Sequence, residues 1–288
     1  MLQQEIDSLV PASAYSRRRF VRTSLGSGFA AAVLPVTAQT IKTDTGGVTT
    51  GEVTIPVGDF KLPAFRAHPE GRVNGLPVVL VISEIFGVHE HIADVTIRFA
   101  KLGYLAIAPE LFVRQGDAQS YGEVAKLIAE VVSKASDAQV MGDLDATVAW
   151  AKAQGADTSK LGITGFCWGG RTTLMYAAHN PGVKAAVAWY GPVARSYHPG
   201  DRTALDVAGQ IKGAVLGLYG GADAGIPNDT VEKMRDALKA AGNTRSEFVI
   251  YPDTPHAFHA DYRPSYRKEQ AEDGWKRATA WFKAHGVG

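Results

Sequence analysis

The chain has 288 residues, a formal net charge of +1 at pH 7 and 45% hydrophobic residues, a composition typical of a globular protein. A net charge this close to zero gives no electrostatic reason to expect nucleic-acid binding. The single cysteine, Cys167, excludes an internal disulfide and a cysteine-rich metal site.

The N-terminal residues carry a pattern typical of bacterial export signals. Paired arginines and a phenylalanine occur in Ser16–Phe20 (SRRRF), and an apolar run of small residues follows over Leu25–Val36. Val36–Ala38 resembles a cleavage site, while the run is too short and too weakly apolar for a stable membrane span. We therefore predict a twin-arginine signal over residues 1–38, recognised by the twin-arginine export machinery, and a periplasmic mature protein. A disordered basic N-terminus and an uncleaved membrane anchor are the alternatives.

After a predicted linker over residues 39–50, apolar runs typical of strands alternate with helical patterns up to the C-terminus. Strands are predicted at residues 52–57, 62–66, 77–83, 104–109, 161–164, 183–189, 214–219 and 248–251. Helices are predicted at residues 92–102, 120–135, 137–153, 172–178, 228–241 and 265–284. The first two strands form a predicted antiparallel hairpin. The alternation after them predicts one α/β domain over residues 51–288, with a doubly wound, mainly parallel sheet.

The segment Gly165–Gly169 (GFCWG) matches a nucleophile elbow in which cysteine replaces serine. Such an elbow turns sharply from strand to helix, and glycine is needed two residues before and after the nucleophile because a Cβ does not fit there. The following helix directs its N-terminal dipole at the sulfur and favours the thiolate. Cys167 is therefore the predicted nucleophile. A buried structural cysteine is the alternative.

An elbow nucleophile requires a histidine base and an acid, in the chain order nucleophile, acid, histidine. Asp223 follows the predicted strand 214–219, and His256 lies in the loop after the last strand, so both have the expected position and order. Asp253 and His259 are rival candidates nearby. An aspartate that forms a turn and a histidine on the surface are the non-catalytic alternatives.

Four further residues, in the elbow and in the loops after two strands, are candidates for the site. The backbone N–H groups of Trp168 and Ile85 are the predicted oxyanion donors. Glu84 ends the strand 77–83, where a carboxylate is costly unless it is paired. Arg114, on the loop after the strand 104–109, is predicted either to pair with Glu84 or to bind a substrate carboxylate. A solvated strand end and a surface arginine are the alternatives.

Taken together, these motifs resemble the dienelactone hydrolase (carboxymethylenebutenolidase) family of α/β-hydrolases over residues 50–285. The matching segments are Glu84–Gly87, Pro109–Gln115, Gly165–Gly170, Gly220–Asp223 and His256–Phe258. The resemblance implies an α/β-hydrolase fold, a Cys167-Asp223-His256 triad, and neither metal nor organic cofactor. It also implies that Glu84 binds the resting thiol and swings away when substrate arrives, and that Arg114 belongs to the same network.

The segment after His256 departs from the family's lactone hydrolases. Those enzymes have a serine and an arginine where this chain has Ala257 and Ala260, which leaves Arg263 or Arg267 to reach back. We therefore predict a monomer or small homo-oligomer that hydrolyses a small ester, lactone or thioester through a cysteine acyl-enzyme. A non-catalytic or redox-sensing binding protein is the main alternative, and chemistry of the amidotransferase or cysteine peptidase type is a third.

Overall fold

The computed structural model describes residues 41–71 and 73–288, so the predicted export signal lies outside the described residues. Eight strands form one sheet in the order β1-β2-β4-β3-β5-β6-β7-β8. The strands are Val48–Val57 (β1), Phe60–Pro69 (β2), Pro77–Ile82 (β3), Leu105–Pro109 (β4), Asp157–Phe166 (β5), Val183–Trp189 (β6), Ala214–Gly220 (β7) and Ser246–Tyr251 (β8).

The pairing confirms the predicted doubly wound, mainly parallel sheet. The strands β1 and β2 form the predicted antiparallel hairpin, and β2 joins the sheet by pairing antiparallel to β4. Every other neighbouring pair is parallel. The inner strands are continuous apolar runs because helices cover the sheet, and Val78–Ile82 of β3 is fully buried. The carboxyl ends of the parallel strands therefore meet along one edge, where ligands bind in such folds.

Seven α-helices within the described residues surround this sheet. One helix predicted from the sequence is shorter in the structure. The helices are Glu90–Lys101 (α1), Val124–Glu130 (α2), Asp137–Ala153 (α3), Trp168–His179 (α4), Ala204–Val207 (α5), Asn228–Ala240 (α6) and Lys268–Ala284 (α7). The predicted helix over residues 120–135 is instead α2 with short 3₁₀ turns at Ala118–Ser120 and Val132–Lys134. The helix ends because Val131 leaves the helical conformation (φ −122°, ψ −64°), which buries Val131 and Val132 completely in the core.

The predicted linker over residues 39–50 is wrong over the part that the structure describes. The strand β1 begins at Val48, inside that linker. Before it, the backbone N–H of Ile41 donates to Asp261 over 3.1 Å, and that of Thr43 donates to Asp94 over 2.5 Å. Lys101 also donates to Asp44 over 2.7 Å. This segment thus makes hydrogen bonds to α1 and to Asp261, and the domain includes residues from Ile41 onward.

None of the helices within the described part of the chain is long and apolar enough to cross a membrane. The longest of them, α3 and α7, have 17 residues each and carry charged side chains along their length.

Candidate active site

The candidate site lies where three neighbouring strands end at the same level. Ile82 of β3 pairs with Gly165 of β5, which in turn pairs with Ala188 of β6. Two residues beyond this row, the chain reaches Glu84, Cys167 and Tyr190. Because parallel strands in register end side by side, the thiol lies between a carboxylate on one side and a phenol on the other.

Cys167 has the strained backbone of a nucleophile elbow. Its φ of 54° and ψ of −118° place a residue with a side chain in a region that favours glycine. The N–H of Cys167 donates to the Trp189 carbonyl over 3.0 Å, and the Cys167 carbonyl accepts from the N–H of Arg171 over 3.1 Å. These bonds hold the turn from both sides. Helix α4 begins at the next residue, so its N-terminal dipole faces the sulfur.

The two glycines that flank the cysteine permit close backbone contacts. A Cβ on Gly165 would lie 2.2 Å from the Gly169 carbonyl oxygen. A Cβ on Gly169 would lie 2.4 Å from the carbonyl oxygens of Ile82 and Ser83. The first turn of α4 therefore lies directly against the end of β3. This contact brings the loop that carries Ile85 to the elbow, where Trp168 is the first helical residue.

The structure brings Asp223 and His256 together as the sequence predicts. His256 Nδ1 lies 2.5 Å from Asp223 Oδ2, and the other oxygen, Asp223 Oδ1, accepts from the N–H of Gly225 over 2.9 Å. The carboxylate accepts, so Nδ1 carries the proton and the opposite ring nitrogen remains for the thiol. Cys167 is near enough to His256 to raise the pKa of its imidazole, so acid, base and thiol are neighbours at this edge of the sheet.

The two rival candidates have other positions. Asp253 is exposed in the turn after β8. His259 is 3% exposed and packs against Trp189 with ring centroids 4.5 Å apart and ring planes tilted by 53°. Its Nδ1 lies 3.4 Å from the Nε2 of His91 rather than near Asp223. Burial, with His91 and Arg98 nearby, holds the pKa of His259 well below its usual value, so this ring is a neutral part of the core.

The protonation of His256 depends on its two neighbours. Burial alone would lower the pKa of this imidazole, because it penalises the charged form. The charge and hydrogen bonds of Cys167 and Asp223 outweigh burial and raise the pKa to about 10. Below that pKa the ring is an imidazolium beside the Asp223 carboxylate.

Glu84 has a different partner from the one that the family resemblance implies. Its Oε2 atom lies 3.1 Å from His89 Nε2, while Oε1 is buried and has no hydrogen-bond partner among the described residues. Burial would raise the pKa of this carboxyl, but His89, His91 and Arg263 lower it to about 2. Glu84 is therefore an anion held by His89. The expected contact between Glu84 and the resting thiol is absent among the described residues, because Oε2 binds His89 and Oε1 has no hydrogen-bond partner there.

The prediction that Arg114 joins the Glu84 network is wrong in this structure. The guanidinium of Arg114 donates to both oxygens of Asp143 over 2.5 and 2.7 Å, and it stacks 3.8 Å from the Phe60 ring centroid. Asp143 is fully buried on α3, and a buried carboxylate requires a cation. Arg263, one of the two arginines predicted to reach back, provides positive charge near Glu84 instead.

Sequence reasoning missed two residues of this site, Tyr190 and His89. Tyr190 is fully buried with a φ of 37°, and its ring lies edge-on to that of His256 with centroids 5.1 Å apart. The strand register was a usable signal, since Tyr190 follows β6 at the level at which Cys167 follows β5. His89 precedes α1 and gives no local signal of its contact with Glu84.

No group of three or more histidine, cysteine, aspartate or glutamate residues within residues 41–71 and 73–288 is arranged to hold a metal ion.

Comparison with known proteins identifies the family. The profile of the dienelactone hydrolase family matches residues 62–286. A protein of Methylorubrum extorquens named "Putative carboxymethylenebutenolidase" is 57% identical, over 98% of this chain and 98% of its own length. One of the same name from Escherichia coli K12 is 47% identical, over 92% of this chain and 97% of its own. The crystal structure titled "Putative Dienelactone Hydrolase" from Klebsiella pneumoniae has 52% identity and a TM-score of 0.79, covering 82% of this chain and 98% of its own. The chain belongs to the dienelactone hydrolase family and is a carboxymethylenebutenolidase-like hydrolase.

The elbow contact predicts that Gly165→Ala destabilises the fold. A contact of 2.2 Å to a backbone oxygen forces the strand and helix apart, so we expect a loss of about 1–3 kcal/mol of unfolding free energy and slower labelling of Cys167. Gly142→Ala is the control, because this exposed position on α3 has open space and alanine stabilises a helix by about 0.5–1 kcal/mol. Denaturant unfolding of both variants checks this, and equal stabilities would contradict it.

The raised pKa of His256 predicts how its imidazole titrates. In the wild type the ring should stay protonated until about pH 10, because the thiolate and Asp223 stabilise the cation. Cys167→Ala removes one negative charge, so the pKa should fall below the wild-type value. Imidazole chemical shifts in an NMR pH titration measure both values. An unchanged pKa in the variant would mean that the thiolate does not face this ring.

Proposed function

We propose that this dienelactone hydrolase family member cleaves a small ester or lactone through an acyl-enzyme on Cys167, with Asp223 and His256 completing a catalytic triad. The observation that carries the proposal is the line of contacts at the carboxyl edge of the sheet. His256 Nδ1 is 2.5 Å from Asp223 Oδ2, and Cys167 is near enough to raise the pKa of the same imidazole. A nucleophile, a base and an acid in this arrangement are what acyl transfer requires.

In the first half of the proposed reaction, the Cys167 thiolate attacks the carbonyl carbon and forms a C–S bond, while the carbonyl electron pair moves to oxygen. The N–H groups of Trp168 and Ile85 are the proposed donors to this oxyanion. When the tetrahedral intermediate collapses, the C–O bond breaks and the leaving oxygen takes the proton of His256. The products are a thioester on Cys167 and a free alcohol, or the ring-opened hydroxyl of a lactone.

In the second half, neutral His256 takes a proton from water as the water oxygen attacks the thioester carbon. Collapse of this intermediate breaks the C–S bond, releases the acid and restores the thiolate beside the imidazolium. Asp223 fixes the imidazole tautomer in both halves, because its carboxylate holds the proton on Nδ1.

In the family's lactone hydrolases a serine and an arginine contact the substrate. We propose that the substrate of this protein has a small acyl group that is bound without these two contacts. Ala257 and Ala260 have the corresponding positions, and both are buried, with 2% and 0% exposure. Arg114, the other candidate for binding a substrate carboxylate, is already bound bidentately by Asp143. Arg263 is a cation near Glu84, and it stacks on Phe86 and Tyr262.

Replacement of the nucleophile tests the proposed reaction. Cys167→Ala should lower kcat for a short aryl ester at least about a thousandfold, because no other group can carry the acyl intermediate, while thermal stability changes little. His256→Asn should lose a comparable factor, whereas His179→Asn is the matched control, an exposed histidine paired with Asp145 over 2.7 Å. Stopped-flow kinetics and intact-mass detection of an acyl adduct provide the measurements.

The outcomes separate the candidate functions. Turnover retained in Cys167→Ala would overturn the acyl-enzyme. Labelling of the thiol without turnover of aryl ester or dienelactone by the wild type would favour the non-catalytic or redox-sensing alternative. The ratio of kcat/KM for the aryl ester and the dienelactone measures how strongly substrate specificity changes when alanine stands at positions 257 and 260 in place of the serine and the arginine.

We also propose that the protein is exported to the periplasm by the twin-arginine machinery, on the strength of the Ser16–Phe20 pattern alone. Replacing both Arg17 and Arg18 by lysine should retain the protein in the cytoplasm, because the paired arginines are the recognised feature. Arg22→Lys is the control that keeps the pair. Immunoblots of periplasmic and cytoplasmic fractions measure the distribution, and normal export of the double variant would reject the signal.

A further inference from the structure

We propose that His89 is a positioning residue that holds the Glu84 carboxylate away from the Cys167 thiol and thereby leaves the thiol to His256. The inference rests on the proposed function in one respect, namely that Cys167 is the nucleophile whose reactivity matters. It assigns to His89 a role in keeping the site ready before any substrate binds.

The need for such a residue follows from the strand register. Glu84 follows β3 at the level at which Cys167 follows β5, and the two strands are direct neighbours. A carboxylate beside a thiol competes for its proton, and its negative charge disfavours the thiolate. Burial intensifies this effect, because Glu84 is 3% exposed and little water screens its charge. An unrestrained Glu84 would therefore reduce the nucleophilicity of Cys167.

Glu84 retains the capacity to bind the thiol, yet it does not do so. Its Oε1 atom is buried without a hydrogen-bond partner among the described residues, so an acceptor is available next to the elbow. The carboxylate is instead held through Oε2, which lies 3.1 Å from His89 Nε2. Cys167 instead lies near His256, whose pKa it raises. The contact with His89 is thus the observed restraint on the orientation of Glu84.

His89 is itself held in place for this contact. It is the N-cap residue of α1 but makes no side-chain capping hydrogen bond, so its ring is not engaged by the helix. The Tyr262 hydroxyl lies 3.5 Å from His89 Nε2, and the two rings meet edge-on with centroids 5.2 Å apart. Arg263 stacks 4.7 Å from the Tyr262 ring centroid. An ordered chain of contacts therefore runs from Arg263 through Tyr262 and His89 to Glu84.

The charges in this chain agree with the proposed role. His89, His91 and Arg263 together lower the pKa of Glu84 to about 2, so the carboxylate is ionised throughout the working pH range. The Arg263 guanidinium also offsets the field that an isolated anion would exert on the neighbouring sulfur. Loss of His89 removes the hydrogen bond that fixes Oε2.

The single cysteine of the chain makes the test direct, because every alkylation event reports on Cys167. We would measure the second-order rate of iodoacetamide labelling at pH 7 by intact mass. His89→Asn is too short to reach Glu84, so the thiol should gain a carboxylate partner. We expect labelling about tenfold slower than in the wild type, because a nearby carboxylate disfavours the thiolate that reacts with iodoacetamide. His89→Gln restores a donor at a similar reach and should label within about twofold of the wild type.

The double variant separates positioning from a general structural effect. In a Glu84→Gln background, His89→Asn should change the labelling rate less than about twofold, because the carboxylate that His89 restrains is gone. His179→Asn serves as the surface control and should leave the rate unchanged. Wild-type labelling in His89→Asn would overturn the proposal, as would an equal slowing with and without Glu84. If His89→Asn proves unstable, the comparison of His89→Gln with His89→Ala decides in the same way.

Labelling requires no ester substrate, so this test and the test of the proposed function fail independently. If His89 restrains Glu84 but the protein hydrolyses no ester, the proposed substrate class is rejected and the positioning role of His89 is retained. If ester hydrolysis depends on Cys167 but not on His89, the positioning role of His89 is rejected and the hydrolase function is retained.

Discussion

The close contact between the first turn of α4 and the ends of two strands is the constraint on which the site depends. Gly169 lies against the last carbonyls of β3, and Gly170 lies against the end of β6, where a Cβ would be 2.6 Å from the Trp189 carbonyl oxygen. The helix start is thus clamped between the two strands that flank β5. A side chain at either glycine would push the helix outward, so the absence of a Cβ fixes the sulfur of Cys167 relative to Glu84 and Tyr190.

A second constraint is that charges at this edge are buried in pairs. His89 matches Glu84, and Arg171 on α4 donates to both oxygens of Asp137 over 2.7 Å each. The same guanidinium donates to the Arg195 carbonyl over 2.9 Å, which ties the segment after β6 to the elbow helix. Burying an unpaired charge is costly, so each pair also fixes the loop that carries its partner. These buried pairs therefore add electrostatic restraints to the steric restraint that the close glycine contacts impose.

Residues governed by local backbone rules could be predicted from the sequence, whereas long-range side-chain pairs could not. The glycines around Cys167, and strand-end positions such as Asp223 and His256, follow from a motif and from sheet topology. The partner of Arg114 does not, because a long guanidinium binds whichever buried carboxylate it reaches, and Asp143 lies on a distant helix. The linker prediction was wrong for a related reason, since polar residues near Thr43 look solvated until α1 supplies their partners.

The position of His256 depends on contacts at both ends of the turn that carries it. At its start, His256 binds Asp223, and Ala257 accepts a φ of 57° so that the chain turns back into the core. At its end, Asp261 is 1% exposed and lies 3.2 Å from His91 and 3.3 Å from Arg98, while the N–H of Ile41 donates to its second oxygen. The imidazole is therefore oriented by residues from four parts of the chain. Side chains longer than alanine at 257 and 260 would have to displace this packed turn, which explains physically why selectivity based on a serine and an arginine there is incompatible with this arrangement.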